Sequence, residues 1–419
     1  MKPSTPPTPE AALAAMVAAL EPVLHLTEHV PAAGAGGRFL VCPVSAERDQ
    51  PPFDRVMMDG IAVRAAALQA GQRTFRCAGL AAAGHAAPPL ELDSDAIEVM
   101  TGAMLPSGAD AILPIEELTR TAEHFTVNEP AATTASSGLN IHRRGSDCQE
   151  GACVLPAPRR LSPIDIAIAT GAGAATLQVR CATRIAVIST GDELVEAGTA
   201  IAPWQVRRSN AHAVRAALVA AGYACVTDHH LPDDLPAMQT ALAALLATHE
   251  VLVLSGGVSM GQFDHVPAAL RSLAVTEVLH RIAQRPGQPL WFGRGPQGQA
   301  VFGLPGNPVS TFVCAVRYVL PVLARLSGLP ALENRALVAL AAPARALPGV
   351  TRFLPVRLAA AEQGLLLATP QPPANSGDFL SLLDTSGMVA LPAATTPWPA
   401  GTVVAYWPWP GQSYLPAQV

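Results

Sequence analysis

The run Val251-Leu-Val-Leu-Ser-Gly-Gly-Val-Ser-Met-Gly-Gln-Phe-Asp264 limits what this chain can fold into more than any other. Its four leading apolar residues, two of them β-branched, suit a strand covered on both faces inside a parallel sheet. The glycines that follow let backbone N–H groups turn toward a bound oxyanion. Ser255 and Ser259 add hydroxyl donors, and a helix after Asp264 presents its positive end. Asp264 is out of place in a pure anion site, but it fits one where a hard cation such as Mg²⁺ sits between carboxylate and phosphate. A glycine loop that merely turns the chain is the alternative for this segment alone.

From Cys181 to about Gly328 strands and helices alternate. Arg184 to Ser189 reads as a strand, and Ser209-Asn210 as the cap of a helix running to Gly222. Tyr223 to Thr227 is a second strand, with a helix from about Asp234. Strands near Val275 to Ile282, Leu290 to Phe292 and Ala300 to Phe302 follow, then a helix from Pro308. Alternation of this kind predicts a doubly wound, largely parallel α/β sheet over 181–329. Ligands bind such sheets beyond the carboxyl ends of the strands.

Those ends are Ser189-Thr190-Gly191-Asp192-Glu193, Asp228 to Asp234, Ser255 to Asp264, and Gly303-Leu-Pro-Gly-Asn-Pro308. Each carries glycine, hydroxyl or carboxylate groups, so Thr190, Gly191, Asp192, Ser255, Gly256, Gly257, Ser259, Gly261, Pro305, Gly306, Asn307 and Pro308 become candidate anion-binding residues. A helix cap is the alternative for Asp192 or Glu193, and for Asp233 or Asp234.

Residues 1–180 are irregular and rich in glycine and proline, with short β-like runs at Ile97 to Met100 and Ala111 to Pro114. This predicts β-rich modules, one inserted at about 45–145. Residues 330–419, with Met388 to Leu391 and Thr402 to Trp407, predict a small all-β domain. Ser162, Pro163 and Asp165 open a helix in the first region, and Thr8 with Pro9 opens one at the N-terminus.

A net charge of −5, without a basic stripe interleaved with aromatics, gives no footprint for nucleic acid. No uncharged apolar run reaches the ~20 residues of a membrane span. Seven cysteines without a Cys-x-x-Cys pair argue against a disulfide framework and a structural zinc, so a cytoplasmic protein is expected. Lys2 is the only lysine; every other strong base is arginine.

Three motifs mislead. His25-Leu-Thr-Glu-His29 has the spacing of an inverted zinc-protease motif, but Pro31 would end its helix at once, and two histidines near a helix end are the safer reading. Gly171-Ala-Gly173 imitates a dinucleotide fingerprint but follows a helix and lacks the third glycine. His229 and His230 are neighbours on a strand and face opposite ways.

The strand ends, taken with Pro51-Pro-Phe-Asp-Arg-Val-Met-Met-Asp-Gly60 and Met100-Thr-Gly-Ala-Met-Leu-Pro-Ser-Gly-Ala-Asp110, resemble the MoeA-type molybdopterin molybdenumtransferases, relatives of the gephyrin C-terminal domain. The Met-Asp-Gly block, Thr-Gly-Asp-Glu-Leu, Ser-Gly-Gly-Val-Ser-x-Gly-x-x-Asp and Gly-Leu-Pro-Gly-Asn-Pro occur in the family's order across nearly the whole chain. The resemblance implies a C-terminal β-barrel and Mg²⁺-dependent insertion of molybdate into adenylylated molybdopterin with release of AMP. By position, Glu193, Asp233 and Asp264 match the family's acids in the sheet domain, as candidate Mg²⁺ ligands, while Asp59, Thr101 and Asp147 match residues supplied across a homodimer interface. Pro305 and Pro308 match a rigid turn beside the pterin, and Ser376 a serine of the C-terminal domain. Implied partners are the molybdopterin adenylyltransferase and molybdoenzyme-maturation proteins.

The chain departs from the family at its basic segment. Lysines are usual where Arg281-Ile-Ala-Gln-Arg285-Pro-Gly-Gln288-Pro carries Arg281, Arg285 and Gln288. The arginines keep the charge, with a planar fork in place of a compact ammonium; Gln288 loses it. Val56-Met57 also stands where many relatives carry serine and alanine. Gln288 motivates the rival reading of a scaffold that holds the pterin without turnover. An adenylyltransferase sharing the sheet domain is a third reading, which the flanking regions oppose.

Overall fold

Val251–Ser255 is a strand with all five residues buried, as an unbroken apolar run requires. The computed structural model describes residues 5–20, 26–258, 265–327, 336–361 and 364–412. The chain divides into two compact units, Met1–Glu28 with Gly37–Phe39 and Val179–Val419, and His29–Gly36 with Leu40–Gln178.

In the first unit, strands are β1 (Ile185–Thr190), β2 (Val226–Leu231), β3 (Val251–Ser255), β4 (Thr276–His280), β5 (Gln284–Arg285), β6 (Trp291–Arg294) and β7 (Ala300–Leu304). Helices are α1 (Pro9–Ala19), α2 (Asn210–Ala220), α3 (Leu235–Thr248), α4 (Val266–Ser272) and α5 (Pro308–Cys314). One sheet has the order β2-β1-β3-β7-β6-β4. The pairs of β1 with β2 and β3, and of β3 with β7, are parallel; β6 pairs antiparallel with both β7 and β4.

Alternation along β3 sends Val251 and Val253 into a core shared with Met16 of α1 and Val214 of α2. Leu252 and Leu254 enter a second core with Met238 and Leu242 of α3 and Leu270 of α4. Helices thus cover both faces, as the alternating pattern predicted. The α5 run continues through a π-helical turn, Ala315–Val319, to Leu326. Pro321, lacking an N–H, interrupts the ladder there. By length and composition Pro308–Leu326 would pass for a membrane span, yet 78% of its apolar window is buried inside the protein.

The barrel strands are β8 (Ala336–Leu340), β9 (Thr351–Ala360), β10 (Leu366–Pro370), β11 (Gly387–Leu391) and β12 (Val403–Pro408). They run β9-β10-β8-β12-β11, and β11 pairs back onto β9, closing five strands around Val338, Leu354, Val389 and Tyr406. Closure leaves no free sheet edge. β5 adds to the start of β9 in parallel.

The second unit holds a six-stranded sheet of order 111–114, 60–63, 95–99, 74–81, 124–127, 118–120, with cores on both faces. Its Ala111–Pro114 strand falls where the sequence put it.

Several local expectations hold. Thr8 accepts from the Ala11 amide, and Ser162 and Asp165 form a reciprocal capping box. Others need correction. The second strand begins at Val226 and not Tyr223, because the Tyr223 N–H is still tied to Leu218 O at 3.0 Å in the turn after α2. Ser209 makes no capping bond, since its backbone is already helical. Thr27–Pro31 is extended, so His29 lies on a strand and not near a helix end; His25 lies outside the described residues.

Candidate functional site

β1, β3 and β7 deliver their carboxyl ends to one side of the sheet, and beside them opens a cavity of about 1040 Å³. From these ends Thr190, Gly191, Glu193, Gly256, Gly257, Pro305, Gly306 and Asn307 line it, joined by Asp233 after β2, Arg285 of β5, and Ser376. The glycines are needed for space. A Cβ on Gly256 (φ +100°) would lie 2.8 Å from Thr190 O, and one on Gly257 (φ +63°) 2.9 Å from Val266 Cγ2. The Thr190 hydroxyl is buried against these turns without a partner among the described residues, leaving a donor for a ligand.

Asp234 accepts from the Ala237 amide at 2.8 Å and caps α3, which leaves its neighbour Asp233 to face the cavity. No helix follows Asp192 and Glu193; the next residues, Leu194–Val195, are a short strand. Asp192, outside the lining, accepts from the Asp233 N–H at 3.1 Å. Burial first, then the Asp192 and Glu193 charges, push the Asp233 carboxyl above the usual aspartate range. Such mutually repelling carboxylates suit Mg²⁺, which is held by one or two carboxylates with substrate phosphate and water. Among the described residues no three metal-ligating side chains come together. Asp264, like Ser259 and Gly261, lies outside those residues.

Ser255 is buried and accepts from Asn210 Nδ2 at 3.0 Å, while the same amide donates to Gly306 O at 2.7 Å. Asn210, read from sequence only as part of a helix cap, therefore ties two strand-end turns together. Asn307 Nδ2 donates to Ser376 Oγ at 2.8 Å, holding the barrel-side serine against the turn before α5, whose first residue is Pro308. Arg281 has φ +75° and is not among the lining residues, whereas Arg285 and Gln288 are. The barrel contributes Arg345 and Arg352, which the sequence did not single out. Their one signal was a pair of arginines flanking the Pro348-Gly349 turn.

In the second unit, Asp59 Oδ1 accepts from both the Thr101 N–H and its hydroxyl, each at 2.7 Å. The amide bond first, then the hydroxyl bond, lowers the Asp59 pKa. A Cβ on Gly60 would collide with the Leu113 carbonyl, so the residue after Asp59 must be glycine. Asp147 Oδ1 lies 2.7 Å from His142 Nε2. Arg143 and Arg144 pair with Asp54 and Asp49 at 2.7 and 2.8 Å. All seven cysteines are free.

Comparison with known proteins agrees with this layout. The family described as "MoeA N-terminal region (domain I and II)" matches residues 8–173, "Probable molybdopterin binding domain" matches 186–325, and "MoeA C-terminal region (domain IV)" matches 338–409. A molybdopterin molybdenumtransferase of Synechocystis sp. is 34% identical over 380 residues, covering 90% of this chain and 93% of the relative. One of Synechococcus elongatus is 32% identical over 90% of this chain and 93% of its own. A crystal structure of a molybdopterin biosynthesis MoeA protein from Pyrococcus horikosii superposes with a TM-score of 0.75 at 27% identity, covering 96% of this chain and 98% of that one. With near full-length matches in sequence and fold, this chain belongs to the MoeA-type molybdopterin molybdenumtransferase family.

Proposed function

We propose that the cavity carries molybdate insertion into the dithiolene of adenylylated molybdopterin, with AMP as the leaving product. The observation that supports this most is the meeting of Glu193 and Asp233 with glycine turns and a buried Thr190 hydroxyl that has no partner among the described residues. The turns and hydroxyl bind oxyanions, and the carboxylates keep a cationic partner at the phosphate. Glu193 and Asp233, with Asp264, would hold Mg²⁺, which when bound polarises the phosphoanhydride for cleavage. Pro305 and Pro308 stiffen the turn on which Gly306 and Asn307 sit, and Asn307 orients Ser376.

The proposal includes a cytoplasmic homodimer in which Asp59, Thr101 and Asp147 serve the second copy's site, and an adenylyltransferase that supplies the substrate. It keeps the division of the chain at about residues 180 and 329. Sedimentation equilibrium checks the dimer. For the reaction, AMP release is followed from adenylylated molybdopterin in Mg²⁺ buffer, with and without molybdate. Molybdate-dependent release is expected. Tight pterin binding without release would favour the scaffold instead.

A further inference from the structure

Arg285 and Arg352 are register partners in the parallel pair of β5 with β9. Their side chains therefore rise from the same face of the pair, and like charges so placed repel. Arg352 Nη1 donates to the Arg345 carbonyl at 2.8 Å, which ties it to the turn that carries Arg345. All three line the cavity. A recess of about 460 Å³ that shares Arg285, Gln288 and Arg345 with it has no carboxylate in its lining. None of the three arginines has a carboxylate partner among the described residues, although most ion pairs in this protein are arginine-to-carboxylate contacts. Burial, then the Arg345 charge, pulls the Arg352 pKa below the usual arginine range. Three cations lining one cavity without an ion-pair partner among the described residues are an unfavourable arrangement unless an anion completes them.

The geometry points to an oxyanion subsite built from Arg285 with the barrel residues Arg345 and Arg352, which supplies from β9 and its preceding turn the positive charge that Gln288 does not. It takes a tetrahedral dianion, and two sources share that chemistry, free molybdate and the phosphate of the nucleotide. Planar forks on neighbouring strands can grip two edges of one such group. This inference rests on reading the cavity as the substrate pocket, but it is tested without turnover.

The experiment is calorimetric titration of the full-length protein with sodium molybdate and, separately, with AMP. The variants are Arg345→Gln, Arg352→Gln and Gln288→Lys combined with Arg345→Gln. Arg345 is exposed, so its replacement leaves the fold intact. Loss of about tenfold or more in affinity for molybdate alone assigns the subsite to the free oxyanion; the same loss for AMP alone assigns it to the phosphate. In either case Gln288→Lys restores part of the affinity lost in Arg345→Gln. Unchanged affinity for both anions in both single variants, or no binding of either anion by the wild type, overturns the subsite. A wild type that binds molybdate through these arginines yet releases no AMP would overturn the transferase reading and leave the subsite standing.

Discussion

The Asp233 N–H donates to Asp192 Oδ1 at 3.1 Å, a bond that draws the loop after β2 against the end of β1 and leaves the Asp233 carboxyl in the field of the Asp192 and Glu193 charges. Because its pKa is raised, Asp233 binds its proton more readily folded than unfolded. Ionised Asp233 therefore opposes folding at neutral pH, and the penalty fades as pH falls through the raised value. Asp233→Asn is expected to melt above wild type at pH 7, with the gap closing as pH approaches the ordinary aspartate value of 3.8. The same variant should lose about 10²-fold in AMP release. A melting temperature below wild type at pH 7 would show that the carboxylate is stabilising there.

Asp59 behaves in the opposite sense. Its pKa is depressed by the Thr101 amide and hydroxyl, so these bonds support the fold above the unfolded pKa and are lost as pH falls through the folded one. Thr101→Val removes the hydroxyl donor and keeps the amide. Carboxyl carbon NMR titration should then show the Asp59 pKa moving up only part of the way toward an ordinary aspartate. No movement would mean that the amide alone sets it.

The glycine turn after β3 admits no side chain. At Gly256 an alanine would need φ +100° with its Cβ 2.8 Å from the Thr190 carbonyl. Gly256→Ala should cost about 1–3 kcal/mol in urea unfolding and weaken molybdate and AMP binding, because the strained turn pushes against Thr190. Wild-type stability would mean the loop can re-form elsewhere.

The strand ends were legible in the sequence because buried parallel strands announce themselves as apolar runs and their polar ends follow directly. Thr190 and Gly256, which line the cavity, were read that way, while Glu193 and Asp233 were singled out through the family resemblance. The cap alternative also resolved locally, with Asp234 capping α3 and Asp233 free to face the cavity. Arg345 and Arg352 were not legible, because their place depends on β5 joining β9. β5 is two residues long, and nothing in its composition marks it as a strand. Asn210 was hidden for a similar reason, since its partners Ser255 and Gly306 lie 45 and 96 residues away.

Besides its ladder with β9, β5 is anchored by a buried amide, and this gives the last prediction. Gln284, fully buried, accepts from the Tyr318 hydroxyl through Oε1 and donates through Nε2 to Pro286 O at 2.9 Å. Tyr318→Phe removes the donor to Oε1 and should cost ~1–3 kcal/mol, the price of a buried acceptor left unpaired. Gln284→Leu also strips the bond to Pro286 and should cost more. The two variants should separate in binding as well. Tyr318→Phe keeps the Pro286 bond and hence the course of the chain beside Arg285, so its molybdate affinity should stay near wild type. Gln284→Leu loosens that segment and should weaken binding. Urea unfolding and titration of both variants check the order, and equal losses in both assays would mean that the Tyr318 hydroxyl alone fixes β5.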